Sequence, residues 1–262
     1  MTGFSMPHRL VTLAFVAVLA VALQVGTAQA EIKTQYFDYK QGNTELSGLL
    51  VYDNAQSGKR PAVLLAHDRT GIAPNALRDS ELIAKMGYVV FVEDIFGKGV
   101  VPKTIPEMDA AIAIYNSDRP LMRARAEAGF EVLKSNPLVD SAKIAVVGYC
   151  FGGTVGIELA ETGAPITGLV LVHGSFRNLP AEAARNIKAP VLILHGAEDP
   201  VAPIPEVNAF VDQLRAAKIN WQLELYSGTT HAFTNPKSPS EERADREYKV
   251  ALGRFLKETL GG

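Results

Sequence analysis

Apolar and polar positions alternate in two short runs, Thr34 to Tyr39 and Glu45 to Tyr52, separated by Gln41-Gly42-Asn43. A period of two on either side of a Gly-Asn turn signal predicts an antiparallel β-hairpin. Beyond it the pattern changes. Runs of strand length that are largely apolar, Ala62 to Ala66, Tyr88 to Val92, Ile144 to Gly148, Ile166 to Val172, Val191 to Leu194 and Trp221 to Tyr226, alternate with segments of helical period. Those segments are Asn75 to Met86, Leu121 to Leu133, Thr154 to Glu161 and Pro205 to Ala217, and Ser240 to Thr259 closes the chain as a helix. Strands apolar on both faces need helices on both sides, so the fold class is α/β, with a mostly parallel central sheet flanked by helices and an N-terminal antiparallel hairpin. Sites in such sheets lie at the C-terminal ends of the strands. The least regular stretch, Gly97 to Pro120, holds a short helix at Glu107 to Tyr115 and reads as a lid or pocket wall.

The first thirty residues follow another rule. Arg9 is their only charged side chain, the apolar run Leu10 to Leu23 follows it, and Ala28-Gln29-Ala30 matches an Ala-x-Ala cleavage site. This predicts a signal peptide over residues 1–30 and a single domain over 31–262. The mature chain would start at Glu31 and be periplasmic or secreted, with no stable membrane association after cleavage. An uncleaved N-terminal anchor is the alternative, although the apolar run is short for a membrane span.

Composition narrows the class. The 262 residues, 47% of them apolar, can bury a full core without metal or disulfide. Charge is nearly balanced, 26 Lys and Arg against 28 Asp and Glu, with no long run of one sign, which argues against nucleic acid as a partner. The single cysteine, Cys150, cannot form an internal bridge and must be buried, reactive or a link between copies.

That cysteine sits in the strongest local motif, Gly148-Tyr149-Cys150-Phe151-Gly152-Gly153, directly after a predicted strand and before a helix. Small residues two before and two after a nucleophile allow the tight strand-to-helix turn that lifts its side chain above the sheet. The N–H groups opening the helix would then stabilise negative charge on the sulfur. A buried structural cysteine in an ordinary turn is the plain alternative. A thiol nucleophile needs a base and a group to orient it, and in this fold class they follow in the order nucleophile, acid, histidine. Asp199, in His195-Gly196-Ala197-Glu198-Asp199-Pro200, and His231, in Gly228-Thr229-Thr230-His231-Ala232-Phe233, each lie just past a predicted strand. Glu198 is a rival to Asp199 one residue away. The oxyanion hole of this fold uses the N–H after the nucleophile and one from the loop after an early strand, which here means Phe151 and Arg69.

With these motifs the chain resembles the dienelactone hydrolase family of the α/β-hydrolase fold. The resemblance covers essentially the whole chain after residue 30 and rests on the cysteine elbow, on Gly196-Ala197-Glu198-Asp199 and on His231-Ala232-Phe233. It implies hydrolysis of a small ester or lactone through an acyl-thioester, with Cys150 as nucleophile, His231 as base, Asp199 as its partner, and no metal or organic cofactor. A thioesterase or peptidase on the same fold, or a non-hydrolytic binding or thiol protein, are the alternatives. Two positions depart from the family. Asp68 stands where a glutamate partners the resting thiol, and Asn235 where an arginine four residues after the histidine holds a substrate carboxylate. A neutral amide cannot form that charged clamp, so neutral substrates are expected to serve at least as well as carboxylated ones. His173 reads as a pocket residue and His195 as an anchor for the Asp199 turn. Arg119 and Arg123 read as a solvated helix face. The histidines His67, His173 and His195 lack metal-ligand spacing.

Overall fold

A two-residue turn at Gly42-Asn43 joins β1 (Ile32–Gln41) to β2 (Thr44–Asp53), pairing Gln41 with Thr44 and Ile32 with Asp53. Gly42 takes φ 56°, the left-handed conformation that such a tight hairpin turn demands and that glycine adopts without a Cβ clash. The computed structural model describes residues 1–3 and 31–261; the expected signal peptide, apart from its first three residues, lies outside them.

The remaining elements alternate as the sequence suggests. They are β3 (Arg60–Ala66), α1 (Pro74–Ala84), β4 (Val89–Glu93), α2 (Ile105–Ser117), α3 (Arg119–Lys134), β5 (Val139–Tyr149), α4 (Phe151–Glu161), β6 (Gly168–Val172), β7 (Val191–Gly196), α5 (Ile204–Ala216), β8 (Trp221–Tyr226) and α6 (Pro239–Leu260). One eight-stranded sheet runs in the order β1-β2-β4-β3-β5-β6-β7-β8. The hairpin joins it through an antiparallel β2–β4 contact, and from β4 to β8 every pairing is parallel. The sheet is therefore mixed, with its antiparallel part confined to the N-terminal edge.

Alternate side chains of the central strands feed two cores. Leu64, Phe91, Val146, Leu171 and Ile193 pack under α3, α4 and α5, against Met122, Phe130, Val155 and Phe210. Leu65, Val92, Val147, Val172 and Leu194 pack under α1 and α6, against Ile83, Tyr248, Leu252 and Leu256. Truncating one of these wholly buried aliphatic side chains to alanine costs roughly 2–5 kcal/mol, since both faces of the sheet are sealed.

Several boundaries differ from expectation, β5 beginning at Val139 rather than Ile144 among them, and at three helices the reason is local. Helix α2 spans Ile105–Ser117 because Thr104 caps it, accepting from the N–H of Glu107 while Glu107 accepts from the N–H of Thr104. Helix α3 starts at Arg119, where the Asp118 carboxylate accepts from the N–H of Leu121 and Pro120 fits the first turn. Helix α4 starts at Phe151 rather than Thr154, because Gly152 and Gly153 are helical and serve close packing. Among the described residues, no helix is long and apolar enough to cross a membrane.

Candidate active site

Strand β5 delivers Cys150 to the C-terminal edge of the sheet, and α4 begins at the next residue. Cys150 has φ 54° and ψ −115°, a conformation that costs a residue with a Cβ on the order of 1–3 kcal/mol. The surrounding glycines make it attainable. A Cβ on Gly148 would collide with the carbonyl of Gly152, and one on Gly152 with the carbonyl of Ala66. The turn is also pinned by hydrogen bonds. The Cys150 N–H donates to the Val172 carbonyl (3.1 Å), and the Cys150 carbonyl accepts from Gly153 (3.0 Å) and Ser175 (2.9 Å).

Two loops bring charge to the sulfur. His231, in the loop between β8 and α6, places Nε2 3.1 Å from Sγ of Cys150 and Nδ1 2.7 Å from Oδ2 of Asp199. Oδ1 of Asp199 accepts from the N–H groups of Val201 (2.8 Å) and Ala202 (3.1 Å). Burial opposes the charge on Asp199, but the His231 bond, the His231 charge and these two backbone donors outweigh it and hold the carboxyl below its ordinary range. Burial likewise opposes the charge on His231, yet its bonds to Asp199 and Cys150 and their charges raise it to about 9. Glu198 does not reach the histidine: its Oε2 accepts from the N–H of Thr229 (2.9 Å) and so ties the acid loop to the histidine loop. His195 anchors the turn as expected, with Nε2 2.8 Å from the Ala202 carbonyl.

A cavity of about 210 Å³ opens over Cys150. Phe151 and Val201 give it apolar walls, and Ile112 of α2 closes one side, so the irregular segment after Gly97 does supply a pocket wall. Phe151 is the first residue of α4, so its N–H has no acceptor within the helix and is free to serve a ligand; Arg69 borders the same cavity. Among the described residues, no group of three His, Cys, Asp or Glu could hold a metal ion.

Other expected site residues are placed differently. Asp68 is engaged by its own loop: Oδ1 accepts from the N–H (2.7 Å) and the hydroxyl of Thr70, and Oδ2 from Asn75 Nδ2 (3.1 Å). It caps that turn and makes no hydrogen bond to the thiol. His173 is not a cavity wall but is buried behind His231, its ring centroid 5.0 Å away. Asn235 is exposed and away from the cavity, since its N–H returns to the Ala232 carbonyl and turns the chain outward. Arg119 and Arg123 are not a free solvated face, because both pair with Glu158 of α4, at 3.1 and 3.0 Å. The residue missed from sequence is Arg177, which lines the cavity from the irregular loop after β6. Only its place just past a strand's C-terminal end could have drawn attention to it.

The family model described as the dienelactone hydrolase family matches residues 46–260. A carboxymethylenebutenolidase homologue of mouse (Mus musculus) is 27% identical over 201 residues, covering 76% of this chain and 81% of the relative. The human (Homo sapiens) homologue is 28% identical over 208 residues, with the same coverage of 76% and 81%. Among solved structures, a dienelactone hydrolase-like promiscuous phosphotriesterase from metagenomic libraries superposes with a TM-score of 0.82 at 31% identity, covering 89% of this chain and all of that one.

Proposed function

The chain belongs to the dienelactone hydrolase family and is a carboxylic ester hydrolase, and from that premise we propose that it hydrolyses small esters or lactones through a Cys150-His231-Asp199 triad. The observation that carries this reading is the unbroken chain of contacts from sulfur to imidazole to carboxylate, 3.1 and 2.7 Å, at the mouth of a cavity. With His231 protonated up to a pH of about 9, an imidazolium faces the sulfur and holds a proton ready for the leaving group. The thiolate attacks the substrate carbonyl and forms a C–S bond. The resulting oxyanion is met by the N–H groups of Phe151 and Arg69. As the C–O bond breaks, the Nε2 proton of His231 passes to the leaving oxygen. Acylation removes the sulfur's charge, and with it part of what keeps His231 protonated. The neutral imidazole then takes a proton from water, which attacks the thioester and releases the acid and the thiolate. Asp199 keeps Nδ1 protonated and the ring oriented throughout.

Intact-mass analysis of the purified protein mixed with activated esters and lactones tests nucleophile and substrate class together. A single acyl adduct mapping to Cys150 is expected, and adducts elsewhere or none across the panel would defeat the proposal. Export is proposed as well, supported by the composition of the first thirty residues. The same spectra read the N-terminus: a chain purified from the periplasm or medium should begin at Glu31.

The cavity also revises the expected substrate preference. Arg69 and Arg177 stand at its edge, Arg69 3.6 Å from Asp109, which lines the same cavity, and Arg177 3.9 Å from Glu206 with a 3.3 Å bond to the Val201 carbonyl. A carboxylated substrate can be met there although Asn235 is turned away. Carboxylated esters should therefore exceed matched neutral ones in kcat/KM, and Arg177→Gln should narrow that ratio by about two- to fivefold, as befits an exposed charge pair. A ratio unchanged by the substitution would remove Arg177 from recognition.

A further inference from the structure

One buried ionisable side chain plays no part in the mechanism above, yet its ring packs against His231 and its turn is bonded to the segments that carry Cys150 and Asp199. His173 follows β6 with φ 38°, left-handed backbone that a residue with a Cβ rarely adopts. Its N–H donates to the Leu194 carbonyl (2.8 Å) on β7, the strand that leads to Asp199. Its Nε2 lies 3.1 Å from the hydroxyl of Thr234, three residues beyond His231. On either side of it, the Val172 carbonyl and the Ser175 N–H hold the two backbone groups of Cys150. The turn from Val172 to Ser175 is thus bonded to the nucleophile elbow, to the acid strand and to the histidine loop.

The ring itself meets His231. Its centroid is 5.0 Å from that of His231 with the planes at 64°, and Tyr149 (5.9 Å) and Phe233 (5.5 Å) enclose it from other sides. His173 is 3% exposed, and its Nδ1 has no hydrogen-bond partner. Burial, aided by repulsion from His231, keeps the ring neutral. A phenylalanine would fill the same space without an orphaned nitrogen. What the imidazole adds is the bond to Thr234, which fixes the ring against the loop whose histidine it supports.

We infer that His173 is a positioning residue, whose ring holds the His231 imidazole in line between Asp199 and Cys150. This rests on the reading of Cys150 and His231 as nucleophile and base. His231 is faced by Asp199 from the loop after β7, by Cys150 from the elbow, by His173 just after β6, and by His195 from the end of β7, with Arg69, Asp109 and Arg177 bordering the same cavity. Asp199 and Cys150 are the groups that raise it, so a ring free to rock away from them titrates lower.

The test measures kcat and KM against pH, and the rate of Cys150 alkylation by iodoacetamide against pH, for the wild type, His173→Ala and His173→Phe. His173→Ala should lower kcat by on the order of 10- to 100-fold, with KM within about twofold, because the nucleophile and base are misaligned while the cavity is intact. The alkaline limb of its kcat profile should move below the wild-type position near 9, and its alkylation profile should move with it. His173→Phe should restore the limb and bring kcat to within about threefold of wild type, since it returns a ring of similar size. If His173→Ala fails to fold, His173→Gln, which keeps a polar side chain but no ring, takes its place with the same expectation. An unmoved limb and alkylation profile in the ringless variant would overturn the inference, even if kcat fell. A wild-type Cys150 that resists alkylation would instead overturn the nucleophile reading, and this inference with it.

Discussion

Cys150→Ala should bring turnover of every ester to background, a loss on the order of 10⁴-fold or more, because the covalent route has no other entrance. The fold should survive. Cys150 is partly exposed, and the change removes one sulfur from a cavity rather than from either core. Cys150→Ser should keep only a trace of activity, since a hydroxyl at its ordinary acidity needs full deprotonation by His231, where a thiol needs much less. Steady-state rates together with a thermal melt decide the matter. Retained turnover in a folded Cys150→Ala protein would mean that another group attacks the substrate.

The second large effect concerns the two groups behind the sulfur. His231→Ala and Asp199→Asn should each lower kcat on the order of 10³-fold or more, and the double variant should be no worse than the stronger single one, because the three residues act as a unit. Multiplied losses would mean that they act separately. Asp199→Asn should also change the pH dependence in a defined direction. In the wild type the imidazolium that protonates the leaving group persists up to about pH 9 and is lost above it. Without the carboxylate the proton is held less tightly, and the alkaline limb should move down toward the ordinary histidine range near 6.5. Glu198→Gln should leave the limb in place, since Glu198 bonds to Thr229 and not to His231. A limb that moved in Glu198→Gln and not in Asp199→Asn would reassign the acid.

Most of the parts legible in the sequence depend on residues close together in the chain. The hairpin follows from alternation and a Gly-Asn turn, and the parallel sheet from apolar runs spaced by helical segments. The elbow follows from glycines around one cysteine, and chain order in the fold then points to Asp199 and His231. What sequence reading missed depends on loop conformation. Spacing from His231 puts Asn235 in the pocket, but a turn back to Ala232 carries it outward. Asp68 offers a carboxylate to partner the thiol, but Thr70 and Asn75 claim both oxygens. Arg177 enters the cavity from a loop without a motif, and His173 exchanges the expected cavity wall for a place behind the histidine. Helix α2 was only partly legible, because just Tyr115 of its residues is buried and its apolar positions form no clear stripe.

The left-handed backbone at Cys150 sets stability against chemistry at a single position. Of all substitutions there, glycine alone would let the elbow relax, and Cys150→Gly should melt higher than Cys150→Ala, which keeps the conflict between Cβ and backbone. Selection for a firmer fold would therefore favour a residue that ends catalysis. The wild-type chain holds back a fraction of the stability its own backbone could reach, a sizeable one where whole domains are stable by only about 5–15 kcal/mol. Descendants of this protein that lost their substrate would be expected to lose the cysteine to glycine before the sheet beneath it changed.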